Sequence, residues 1–89
     1  MEIVPGRVAK SLAGRDKGQL LLVIGLQGNR ALVCDGKERP LNRPKPKNPR
    51  HLETTPFTLP DEAARSDKAL RRALGSIQSI YAASDKPGG

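Results

Sequence analysis

The chain has 89 residues, a formal net charge of +7 and only 2% aromatic residues. That length holds one small domain with a thin core of Val, Leu, Ile and Ala. A single cysteine and a single histidine exclude an internal disulfide and a structural zinc site. No cofactor is expected.

The N-terminal Met-Glu-Ile-Val-Pro-Gly has no basic segment followed by an apolar one, and the longest apolar run, Leu20 to Ile24, is too short to cross a bilayer. With the lone cysteine this predicts a cytoplasmic chain without a membrane partner. Gly6 to Leu12 reads as a strand ending in the turn-rich hexamer Ala13 to Gly18. Gln19 to Leu26 is a continuous apolar run of strand length, closed by Gln27-Gly28-Asn29. Arg30 to Cys34 is a third strand, and Asp35-Gly36 is the dipeptide suited to a type I′ hairpin, which predicts a fourth strand starting near Lys37.

The fourth segment carries Pro40, Pro44, Pro46 and Pro49, none of which donates to a sheet ladder, so it must be an edge or a loop. His51 to Glu53 returns briefly to the sheet before Thr54-Thr55-Pro56 breaks it. Residues 56–65 then read as a linker. Leu70, Leu74, Ile77 and Tyr81 fall three or four apart, predicting an amphipathic helix over 66–82. Ser66 is its expected N-cap, and Asp67 with Arg71 an expected i,i+4 pair worth about 0.3 kcal/mol. Gly75 weakens its middle by about 1 kcal/mol relative to alanine, so the apolar stripe needs a surface to dock on. Residues 83–89 read as a disordered tail. Short strands at close spacing over residues 1–55 predict a small, strongly bent barrel of SH3-like size, mainly β with one C-terminal helix.

Charge is concentrated. Residues 1–36 contribute +2, residues 37–50 contribute +5 and residues 51–89 contribute 0. The basic arm 37–50 carries Lys37, Arg39, Arg43, Lys45, Lys47 and Arg50 on a proline-stiffened backbone, which lowers the entropy lost when it is ordered. Such segments suit phosphate-rich partners, because each cation near a phosphate releases condensed counterions. A charged, proline-rich loop also keeps a sheet edge from pairing. The loop 13–18 sets Arg15 and Lys17 between two glycines, so cations and backbone amides can approach a phosphate together. It lacks the spacing of a Walker loop. Only Phe57 and Tyr81 can stack on bases, which argues against base stacking and for contact with a phosphate backbone, of DNA or RNA, or with another acidic surface.

Other candidates are weaker. His51 has neither a second histidine nor an acid beside it, which argues against catalysis and leaves it a polar or stacking contact at a binding surface. Cys34, in a strand, reads as a small buried hydrophobe. Lys68, Arg71 and Arg72 on the helix read as its solvated face.

The stretch from Gly6 to Ile24, with Gly14, the pair Lys17-Gly18 and the apolar run Leu20 to Ile24, resembles the KOW element. With Gly28 to Val33 and Asp35-Gly36, the region up to about Leu52 is similar to KOW-containing large-subunit ribosomal proteins of the eukaryotic and archaeal type, and to small bacterial KOW proteins. One departure is the absence of a further glycine soon after Lys17-Gly18. The resemblance implies an SH3-like barrel that contacts RNA or an RNA-bound protein through the loop around Gly14 to Lys17, without catalysis. It covers a little over half the chain and assigns the helix no role.

Together these readings predict a non-enzymatic RNA-binding protein at or near the large ribosomal subunit, with ribosomal RNA and ribosomal proteins as partners and no small-molecule substrate. The expected phosphate contacts are Arg7, Lys10, Arg15, Lys17, Lys37, Arg39, Arg43, Lys45, Lys47 and Arg50, with His51 beside them. If all six arm cations engage, log affinity should fall against log salt with a slope of about −5. The alternative is a KOW or SH3-like protein-interaction module of the transcription or translation machinery, docking through the apolar stripe of the helix.

Overall fold

The computed structural model describes residues 2–85. It is mainly β: a five-stranded antiparallel sheet of β1 (Arg7–Ser11), β2 (Leu20–Gln27), β3 (Arg30–Cys34), β4 (Lys45–Lys47) and β5 (Leu52–Thr58), followed by the helix α1 (Asp67–Asp85). The strand order is β4-β3-β2-β1-β5, so the two proline-containing strands lie at the edges, where a missing donor costs least. Short 3-10 helices at Pro49–His51 and Asp61–Ala64 lead into β5 and α1.

The unbroken apolar run of β2 follows from burial on both faces. Leu20 and Leu22 pack with Val8 and Cys34 against Leu70, Leu74 and Ile77 of α1. Leu21 and Val23 point the other way, into a cluster with Ala9, Ala31, Val33 and Leu52. The helix therefore docks its own apolar stripe on its own sheet. Ser66 caps it as expected, its hydroxyl accepting from the Ala69 amide at 3.1 Å. Tyr81 packs edge-to-face on Phe57 with ring centroids 6.5 Å apart, lies under the Lys10 ammonium at 5.5 Å and donates to Glu53 at 3.2 Å. Both aromatic side chains thus fasten the helix to β1 and β5. The helix reaches Asp85, beyond the expected end at Ala82, and residues 86–89 of the expected tail lie outside the described residues.

Three local expectations are corrected. Asp35-Gly36 is not a type I′ hairpin, because that turn needs two residues of positive φ and only Gly36, at +78°, has one. Instead the Asp35 carboxylate accepts from the amides of Lys37 and Arg39, both at 2.9 Å, and closes a small loop. The strand expected from Lys37 consequently begins only at Lys45. The Asp67–Arg71 pair is replaced by longer-range bonds: Asp67 accepts from the Leu41 amide at 2.8 Å and Arg71 donates to the Gly36 carbonyl at 3.3 Å.

The third concerns Pro56, which does not end the sheet. β5 continues to Thr58 across a register shift opposite Arg7 and Ala9. There the buried Thr55 hydroxyl donates to the Val8 carbonyl at 2.7 Å and accepts from the Phe57 amide at 3.2 Å. A side-chain hydroxyl supplies the donor that the proline backbone lacks. No helix among the described residues is long and apolar enough to cross a membrane.

Candidate nucleic-acid interface

The loop between β1 and β2 is a compact hairpin closed by backbone bonds from Ser11 to the Gln19 carbonyl at 2.9 Å and from Gly18 to the Ser11 carbonyl at 2.8 Å. Gly14 and Gly18 both take positive φ, +88° and +90°, which L side chains rarely adopt. This geometry turns Arg15 and Lys17 outward and Asp16 inward.

Asp16 is the acid that the loop's basic composition concealed. It is 4% exposed. One carboxylate oxygen accepts from the Ser11 hydroxyl at 2.7 Å and from the Lys47 ammonium at 3.0 Å, and the other from Arg39 Nε at 3.4 Å. Lys47 also donates to the Ala13 carbonyl at 3.0 Å. Burial works to raise the Asp16 pKa, but the hydrogen bonds from Ser11 and Lys47 and the positive charges of Lys47 and Arg39 outweigh it and hold the carboxyl down at about 2.

Lys47 stitches the arm to the loop. Together with the strand pairing Ala31↔Lys47, this sets β4 beside the β1–β2 hairpin. The 3-10 turn that follows is held by the Asn48 side chain, which accepts from the Arg50 amide at 3.0 Å, and by the Leu12 amide, which donates to the His51 carbonyl at 2.8 Å. Between loop and arm lies an open cleft of about 380 Å³, walled by Ala13 and Gly14 on one side and by residues 45–48 and His51 on the other, with Arg30 at its edge.

The expected contact residues divide by position. Arg15, Lys17, Lys37, Arg43, Lys45, Arg50 and His51 are exposed. Lys47 is 7% exposed and bound to Asp16, so it serves the fold, and Arg39 shares the same carboxylate. Lys10 lies over the Tyr81 ring and half-buried Arg7 donates to the Thr55 carbonyl at 3.4 Å. The cleft therefore unites the Gly14 side of the loop with Lys45 and His51. It also recruits Arg30, whose place at the start of β3, directly after the tight turn at Gly28-Asn29, was the available signal.

Cys34 is fully buried, and burial, with Asp35 and Asp67 nearby, pushes its thiol up to about 11. Among the described residues no group of His, Cys, Asp and Glu is arranged to hold a metal ion. No protein-family model matches the chain, and no curated protein matches it.

Proposed function

We propose that the chain is a non-catalytic protein that binds the sugar-phosphate backbone of structured RNA, with ribosomal RNA at or near the large subunit as the target that its KOW resemblance favours. The observation that carries this reading is the cleft in which a glycine-flanked basic loop and a proline-stiffened basic arm meet. Exposed cations on a rigid frame lose little entropy on binding phosphates. Both aromatic rings are engaged in docking the helix, which favours backbone contact over base stacking.

The same reading takes the sheet as an SH3-like barrel. Its support is the antiparallel strand order, the register shifts in β1–β5 and β2–β3, and the second buried cluster of Ala9, Leu21, Val23, Ala31, Val33 and Leu52, apart from the one that packs on α1. Curling of the sheet on itself would bury that cluster, together with Ile3 packed against it. The rival, a protein-interaction module docking through the helix stripe, loses its expected surface, because Leu70, Leu74 and Ile77 are packed on the chain's own sheet.

The test is a salt titration of binding to ribosomal RNA. With Arg39 and Lys47 engaged on Asp16, four arm cations remain, Lys37, Arg43, Lys45 and Arg50. Their slope of log affinity against log salt is about −4. Replacing Arg43, Lys45 and Arg50 by Gln should flatten it by about 3 and leave the fold intact. A flat response in the unaltered protein would sink the reading.

A further inference from the structure

A second groove, of about 410 Å³, runs beside α1 on the side of the helix that faces the 35–37 loop. At its floor the core residues Leu20 and Leu74 reach the surface with only 5% and 6% of their area open, and its rims carry the exposed carboxamides of Gln19 and Gln78. Lys37 and Arg71 lie along it with Asp35, whose carboxylate is already turned to the amides of Lys37 and Arg39. Arg71 donates through Nη1 to the Gly36 carbonyl, and a guanidinium has further N–H groups to offer an anion.

Gly75 also lines this groove. Packing gives no reason for a glycine there: a Cβ at Gly75 would meet nothing within 4 Å, and its φ is not positive. Gly36 is the contrast, since a Cβ there would strike the Asp67 carbonyl. The glycine in the helix therefore weakens α1 and leaves its backbone bare along one groove.

Resting on the RNA-binding reading above, we propose that this groove receives one unpaired nucleotide of the bound RNA. The base lies on the Leu20–Leu74 floor against the bare backbone at Gly75, its edge meets the carboxamides of Gln19 and Gln78, and its phosphate faces Lys37 and Arg71. Carboxamides can pair with the donor and acceptor edge of a base. Unstacked bases in loops and bulges are the parts of RNA open to such contact. Size is compatible, since clefts for small ligands run from about 300 to 1,000 Å³.

The experiment compares a fully paired RNA hairpin with the same hairpin carrying one unpaired adenosine. The unaltered protein should bind the second about tenfold more tightly, the gain expected of one good base-edge contact. Gly75→Leu fills the groove from an open helix position, so it should abolish that preference while the affinity for the paired hairpin and the helical circular dichroism stay as they were. Should Gly75→Leu disturb the helix, Gln78→Ala on the rim carries the same expectation. Equal binding of the two hairpins, or a preference undiminished in both variants, overturns the groove and leaves the backbone-binding reading standing. Failure to bind either hairpin overturns that reading and the groove's occupant with it.

Discussion

The Lys47 ammonium lies 3.0 Å from the Asp16 carboxylate, joining the edge strand β4 to a hairpin 31 residues earlier in the chain. Two residues away on the same strand, Lys45 is exposed on the wall of the basic cleft. Two lysines of one alternating Lys-Pro-Lys run thus have opposite work. One sets the position of the arm and the other presents charge.

Lys47→Met should therefore destabilise the protein by about 3 kcal/mol, because it leaves a buried carboxylate short of its nearest cation. Lys45→Gln should change stability by less than about 0.5 kcal/mol and weaken RNA binding. Urea denaturation midpoints, compared at constant slope, separate the two. Equal stability of both variants would remove the structural role given to Lys47.

Acid should loosen the same junction. The Asp16 carboxyl is ordinary near 3.8 when unfolded and lowered to about 2 when folded, so the unfolded state binds its proton first. The contribution is complete above pH 4 and is lost as pH falls from there through 2, amounting to about 2 kcal/mol. Asp16→Asn should be less stable at neutral pH and show a flatter stability profile over that acid window, as read by denaturation at stepped pH.

The two contrasting glycines make opposite predictions. Gly75→Ala should stabilise the protein by about 0.5–1 kcal/mol, since the new methyl enters open space and the helix gains propensity. Gly36→Ala should cost more than about 2 kcal/mol, because positive φ and a clash with the Asp67 carbonyl act together. Thermal melting of the pair gives the signs directly.

Cys34 should resist alkylation at pH 8 in the folded protein and react fully once the chain is unfolded in urea. The reactive species is the thiolate, and burial both hides the sulfur and pushes its pKa up to about 11. Modification of the folded protein at the rate of a free thiol would contradict the packing of β3 against α1.

A good deal of this architecture was legible in the chain. The period of Leu70, Leu74 and Ile77, the Ser66 cap and the strand length of Leu20 to Ile24 are local or periodic signals, and each reads the same way in the folded molecule. Pro56 and Asp35-Gly36 misled because their local preferences are overridden from a distance. The Thr55 hydroxyl serves the Val8 carbonyl, and the loop after Cys34 is closed by the Asp35 side chain rather than by a tight turn.

For the site, composition by itself located the charge, since the excess of the arm over residues 37–50 is a sum over residues and needs no fold. Which cations are available is another matter. Tertiary structure alone decided that Lys47 and Arg39 turn to Asp16, that Arg30 joins the cleft and that loop and arm share one side. The physical reason is that a buried carboxylate must be compensated by whatever cation the fold brings within reach, and the partners of Asp16 lie 23 and 31 residues away, beyond the range of any local pattern.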